Sequence, residues 1–370
     1  MHGGNLRQAQ EIYGREDFID LSANINPFGP PPSVWSALTR ALPEIVHYPD
    51  PESKELRTMF ARRLDVPMEQ ILVGNGAGEL IYTVVNALKP RRVAIPVPAF
   101  SEYERAACAV QAEVITIPLG EKGWRSLPSL ASPPERNAFA AAWRNHLTGC
   151  NLLFLCSPHN PTASILSYRH FLIILESART VGCKVILDES FLDFVSDDIC
   201  WSGRTELKEN SHLIVLYSLT KFYSLPGLRL GVLMAQENLV SLLKDYRDPW
   251  SVNVLAQKAG VSALKDPEFR VNTLEKLAQA KEYLYTEFTR NRFRHLELLP
   301  SSVNFALIKI LDRPASLLVQ QLGKKGILVR DCTNFNGLTG EFIRIAIKDI
   351  PKMKALIEAL SLLYGSDKTE

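Results

Sequence analysis

An α/β fold with a large, mostly parallel sheet and a smaller α+β domain is predicted by three observations. Short apolar runs recur through residues 71–234, amphipathic helical stretches separate several of them, and the last hundred residues change pattern. The runs are Ile71-Leu72-Val73, Val93-Ala94-Ile95, Val114 to Ile117, Leu152 to Cys156, Val185-Ile186-Leu187, Leu213 to Tyr217 and Val232-Leu233-Met234. Most are β-branched or leucine-rich without polar alternation, which suits strands covered on both faces. Gly78 to Leu88 and Ser167 to Val181 read as helices between them. Residues 121–149 are Pro-rich, then Ala-rich, and read as a connection plus a surface helix.

Towards the C-terminus, Lys276 to Phe288 reads as a helix and Val303 to Ile310 as a strand. Phe342 to Ile347 alternates like a half-buried strand, with Ile343, Ile345 and Ile347 on one face and Arg344 on the other. Lys352 to Leu363 repeats apolar residues at helical spacing. The large domain is expected over 46–255, with the small domain assembled from 1–45 and 256–370. No repeat or low-complexity tract interrupts this scheme.

Composition narrows the function classes. The 370 residues carry 42 Lys plus Arg against 40 Asp plus Glu, a formal charge of +2. That balance argues against a coat for nucleic acid or an acidic membrane surface. With 46% hydrophobic and 22% charged residues the chain falls in the globular range. Six cysteines without a CxxC pair suit neither a disulfide scaffold nor a zinc module. No apolar stretch approaches the roughly 18 residues of a membrane span, and the N-terminus lacks a secretory signal. A cytoplasmic enzyme is the expectation.

In an open parallel sheet, ligands bind beyond the carboxyl ends of the strands, and four such ends carry distinctive residues. Gly74-Asn75-Gly76-Ala77-Gly78-Glu79 precedes a helix and reads either as a phosphate-binding turn or as a tight turn without a ligand. A dinucleotide site would want an acidic strand end about 20 residues later, where Val93 to Phe100 holds none. Ser157-Pro158-His159-Asn160-Pro161-Thr162 either holds the Asn160 amide for a ligand oxygen or forms an ordinary Asn-Pro turn. Asp188 ends a buried strand and needs a partner, such as a protonated ring nitrogen or a structural hydrogen bond. A metal is not expected there, because no His or Cys cluster has ligand spacing nearby. Most specific is Tyr217-Ser218-Leu219-Thr220-Lys221 with Gly227-Leu228-Arg229-Leu230-Gly231 following. A lysine there can form a Schiff base, while Ser218 and Arg229 could bind a phosphate.

These motifs resemble those of the fold type I pyridoxal-phosphate enzymes of the histidinol-phosphate aminotransferase group, across the whole chain. Within the group the chain is most similar to the threonine-phosphate decarboxylases of cobalamin biosynthesis. The resemblance implies the aminotransferase fold type I and pyridoxal 5'-phosphate attached to Lys221. It implies that Asp188 pairs with the pyridine nitrogen, Asn160 bonds the phenolic oxygen and Phe100 stacks on the ring. Ala77, Gly78, Ser218 and Arg229 would hold the cofactor phosphate. Tyr48 matches the tyrosine that reaches the neighbouring subunit's phosphate, which implies a homodimer with shared active sites.

Three features point towards the decarboxylases. His2-Gly3-Gly4-Asn5 resembles the start of that family, Ile25 in Ser22-Ala23-Asn24-Ile25-Asn26-Pro27 stands where the aminotransferases usually carry Glu, and Arg330 with Arg344 matches the decarboxylase arginine pair. The resemblance implies that Arg344 binds the α-carboxylate, that Arg330 and His2 bind the substrate phosphate, and that Asn26 belongs to the substrate site. One departure from the aminotransferases is Phe191, where a tyrosine often stands. The implied reaction is decarboxylation of O-phospho-L-threonine to (R)-1-amino-2-propanol phosphate for the cobamide nucleotide loop. The alternatives are decarboxylation of O-phospho-L-serine to ethanolamine phosphate, histidinol-phosphate transamination, or a catalytically idle ligand-binding protein. The expected partner is a small phosphoamino acid, with no nucleic acid, membrane or metal.

Overall fold

The apolar runs between residues 71 and 234 form one seven-stranded sheet in the computed structural model, which describes residues 3–291 and 293–364. In chain order, β1 (Ile19–Asp20) comes first. The large sheet takes β2 (Ile71–Gly74), β3 (Arg92–Val97), β4 (Glu113–Pro118), β5 (Leu152–Cys156), β6 (Lys184–Asp188), β7 (Leu213–Ser218) and β8 (Gly231–Met234). The remaining strands are β9 (Leu296–Leu298), β10 (Phe305–Ile310), β11 (Ile327–Leu328), β12 (Arg330–Asp331) and β13 (Phe342–Ala346).

The large sheet has the order β2-β8-β7-β6-β5-β3-β4. Only β8 runs against its neighbours. Alternate side chains enter opposite cores. Leu153, Val185, Leu187 and Val215 pack into one, while Leu152, Phe154, Ile186 and Ile214 pack into the other. Both faces of β5, β6 and β7 are therefore covered and their apolar runs are uninterrupted, whereas the edge strand β4 carries Thr116 and is largely unburied. Helices Gly76–Leu88 and Tyr168–Thr180 cover the sheet, the second started by Ser167, whose hydroxyl accepts from the His170 amide.

A smaller α+β domain combines the antiparallel sheet β12-β13-β10-β9 with the parallel pair β1-β11, so N-terminal and C-terminal segments share it. Helices Glu268–Asn291 and Ile350–Tyr364 pack together beside it, the first extending beyond residues 276–288 at both ends. Strand β13 is buried on both faces instead of half-buried. Alternation of Ile with Arg344 reflects two different buried environments, an apolar core and a polar cleft.

The 121–149 segment also departs from a surface element. Trp124, Phe139 and Trp143 are buried, and the helix Pro133–Leu147 packs on Tyr168–Thr180. All six cysteines are free. Among the described residues no helix is long and apolar enough to cross a membrane.

Candidate active site

Strand register sets the floor of the site. Cys156 lies opposite Asp188, and Ser218 opposite Gly231, so the ends of β5 to β8 meet at one edge of the sheet. A cavity of about 620 Å³ opens above them, closed on its other side by β12 and β13. Ala77, Gly78, Phe100, Asn160, Asp188, Ser218, Lys221, Arg229, Arg330 and Arg344 all line it.

Lys221 lies in the short helix Leu219–Phe222, which Ser218 caps by accepting from the Thr220 amide. Burial, with the Arg344 and Arg229 guanidiniums nearby, pushes its ammonium down to about 8. Asp188 is buried, and both carboxylate oxygens are engaged. Oδ1 accepts from the Ser190 amide at 2.9 Å and Oδ2 from the Tyr103 hydroxyl at 2.6 Å.

An anion cradle sits at the opposite end, where helix Gly76–Leu88 begins. Gly76 has φ +82°, and a Cβ there would stand 2.7 Å from Nη2 of Arg229. A Cβ on Gly231 would stand 2.4 Å from the Ala77 nitrogen. The two glycines thus let the helix start, β8 and Arg229 close around one small volume. Amides at a helix start facing a guanidinium suit a phosphate.

Two buried arginines form the third feature. Arg330 and Arg344 are directly opposite one another in the β12–β13 pair. Arg330 donates to Asn334 Oδ1 at 2.7 Å and lies over the Phe335 ring. Arg344 donates to the Asn160 Oδ1 and to the Ser22 carbonyl, and lies over the Phe305 ring. Its Nε has no partner among the described residues, and burial lowers the group to about 10. No described carboxylate pairs with either guanidinium within ion-pair distance, so the cavity offers two cationic seats.

Some expected residues fall elsewhere. Asn26 does not line the cavity. Its amide donates to the Phe222 carbonyl at 2.8 Å and to Thr273, and its oxygen accepts from the Phe28 amide, so it ties the N-terminal segment to the lysine helix. Asn24, two residues earlier, lines the cavity instead, buried with neither side-chain amide atom partnered among the described residues. Tyr48 is 81% exposed and packs on Trp250, away from this chain's own cavity. His2 lies outside the described residues. Phe191 lines the cavity and packs edge-on against Phe305.

The sequence reading also missed a brace behind Asn160. Trp124 Nε1 donates to the Cys156 carbonyl at 2.7 Å, and Arg125 donates to the carbonyls of Thr162 and Ala163. The buried His159 accepts from or donates to Thr162 Oγ1 at 2.8 Å, and burial holds its ring neutral, at about 3. The signal was Trp124 itself, a large apolar residue inside a polar stretch.

Phosphate cradle, lysine, aromatic wall and buried carboxylate follow one another across the cavity, and this donor set fits pyridoxal phosphate. Among the described residues no group of three or more His, Cys, Asp or Glu side chains is placed to hold a metal.

Residues 16–360 match the family model described as aminotransferase class I and II. The chain is 35% identical to the threonine-phosphate decarboxylase of Salmonella typhimurium, over 97% of this chain and 95% of that one. It is 31% identical to the histidinol-phosphate aminotransferase of Symbiobacterium thermophilum, over 98% and 95% of the two chains. The histidinol-phosphate aminotransferase of Sinorhizobium meliloti, solved in complex with pyridoxal-5'-phosphate, superposes with a TM-score of 0.82 at 21% identity, covering 99% of this chain and 96% of that one. This last likeness is one of fold.

Proposed function

We propose a function from one premise: the chain belongs to the class I and II aminotransferase family, in the branch that holds histidinol-phosphate aminotransferases and threonine-phosphate decarboxylases. It is an enzyme that uses pyridoxal 5'-phosphate. Its substrate is a small phosphoamino acid, and the reaction is removal of the α-carboxylate of O-phospho-L-threonine to give (R)-1-amino-2-propanol phosphate.

One observation carries this reading. Two buried arginines are register partners on β12 and β13, and among the described residues neither has a carboxylate within ion-pair distance. Like charges so placed are destabilising, and a ligand bearing both a carboxylate and a phosphate relieves them together. Arg344, beside Asn160, takes the carboxylate. Arg330 takes the phosphate, with His2 as its partner in that task. Asn24 replaces Asn26 as the amide that addresses the substrate.

When bound, the cofactor supplies an electron sink for the pair released at the substrate Cα. Lys221 attaches it, because an amine titrating at about 8 is partly neutral near pH 7. Ala77, Gly78, Ser218 and Arg229 would hold its phosphate, Phe100 would stack on its ring, Asn160 would bond its phenolic oxygen and Asp188 would keep its ring nitrogen protonated. Arg344 fixes the carboxylate, and with Arg330 it fixes rotation about the Cα–N bond. The bond from Cα to the carboxylate breaks, carbon dioxide leaves, and Lys221 returns a proton to Cα.

Tyr48 acts across a homodimer in this scheme. Leu42, Ile45, Val46 and Tyr48 are exposed in succession, and Tyr48 packs on the half-exposed Trp250, an apolar surface suited to a second copy.

The similar proteins favour a second reading, because histidinol-phosphate aminotransferases recur among them in both sequence and structure. Parallel incubations separate the two. Carbon dioxide release from phosphothreonine without any keto acid supports the lyase; phosphoserine tests the one-methyl neighbour. Glutamate formed from 2-oxoglutarate and histidinol phosphate, without carbon dioxide release from either phosphoamino acid, contradicts it.

A further inference from the structure

Both oxygens of the buried Asp188 carboxylate accept hydrogen bonds on the cavity floor, and one donor is a side chain to which no role has been given above. Tyr103 lies in the first turn of helix Ser101–Ala109, and its amide donates to the Phe100 carbonyl. Its ring is 1% exposed and stacks on Phe154 of β5, with centroids 4.7 Å apart and planes within 9°. The Phe100 ring meets it edge-on at 5.6 Å. This packing aims the phenol at Asp188 Oδ2, 2.6 Å away, with the buried Cys156 thiol of β5 as the other titratable group beside it.

The sense of that bond is fixed. Burial and the neighbouring carboxylate push the Tyr103 phenol well above its ordinary value, so it remains protonated and donates. No described Lys or Arg lies within ion-pair distance of Asp188, so its negative charge is supported by this hydroxyl and by the Ser190 amide. Hydrogen bonds to an ionised group are stronger than neutral ones, and burial strengthens them further.

We propose that Tyr103 is a positioning residue that orients the Asp188 carboxylate and shares its charge, and thereby sets how firmly the cofactor ring nitrogen keeps its proton. This rests on the cofactor seat described above and not on which bond to Cα is broken. A single helical turn then carries both the ring that stacks on the cofactor, Phe100, and the hydroxyl that governs its charge. Without the hydroxyl, the carboxylate loses one of two donors in a dry environment and draws the ring proton towards itself. The ring becomes a weaker electron acceptor, and the nitrogen that joins Lys221 to the cofactor becomes more basic.

The test is a pH titration of the visible absorbance of the cofactor-loaded protein, without substrate, for wild type, Tyr103→Phe and Phe154→Leu. Tyr103→Phe should move the titration midpoint up by about one pH unit, the roughly tenfold effect of one hydrogen bond to a charged group. Phe154→Leu, which loosens the stack and leaves the hydroxyl in place, should lower the unfolding temperature and leave the midpoint where it is. An unchanged midpoint in Tyr103→Phe overturns the proposal, as does an equal shift in Phe154→Leu. A wild-type protein that takes up pyridoxal phosphate without visible absorbance overturns the seat itself, and the role of Tyr103 with it.

Discussion

Replacing Arg344 by methionine should leave the chain at least as stable as before while removing most of its affinity for a carboxylate ligand. Burial lowers the guanidinium well below its ordinary value, to about 10. A cation whose folded-state value lies below its unfolded one destabilises the fold at every pH below that value. The difference is worth roughly 3 kcal/mol, at about 1.4 kcal/mol for each tenfold change in proton affinity. Against this, the Asn160 Oδ1 and the Ser22 carbonyl lose a donor, at about 1 kcal/mol each. The balance is a gain of about 1 kcal/mol, with the like-charge opposition of Arg330 already contained in the lowered value. The same substitution deprives a bound carboxylate of a buried charge-assisted partner, which costs about 3 kcal/mol or more, a factor of ~100 in affinity. Urea unfolding of the cofactor-loaded proteins measures the first quantity. Titration with 3-phosphonopropionate, which carries both anions and no amine, measures the second. A loss of stability beyond about 2 kcal/mol would mark Arg344 as part of the framework. Unchanged affinity for the phosphonate would remove it from the substrate site.

Two further outcomes follow from the geometry. Cofactor uptake by the cofactor-free chain should accelerate about tenfold per pH unit up to about pH 8 and level off above it, because only the neutral Lys221 amine reacts; stopped-flow absorbance follows this, and a flat profile would contradict it. Gly76→Ala places a Cβ 2.7 Å from Arg229 at a φ of +82°, and should weaken cofactor affinity by roughly tenfold or more while circular dichroism stays unchanged.

The large sheet was legible because both faces of β5, β6 and β7 are buried, which leaves uninterrupted apolar runs in the sequence. Strand-end residues were legible for a related reason. A charged residue directly after such a run, as with Asp188, has few places to go besides a polar cleft. The choice between Asn24 and Asn26 was not legible. The two share one local pattern, and what separates them is a distant acceptor, the Phe222 carbonyl, that commits Asn26 elsewhere. Tyr103 was hidden similarly. Its partner is 85 residues away in sequence. Trp124 was submerged in a polar stretch whose hydrogen bonds to Cys156 and Ser164 exist only once the chain has folded back.

The central claim is that the bond from Cα to the carboxylate breaks while the Cα hydrogen stays. Phosphothreonine deuterated at Cα reports this directly by mass spectrometry of the product. Decarboxylation gives aminopropanol phosphate that retains the deuterium and has lost the carboxylate. A product that has lost the deuterium and kept the carboxylate, as a keto acid, would contradict the account.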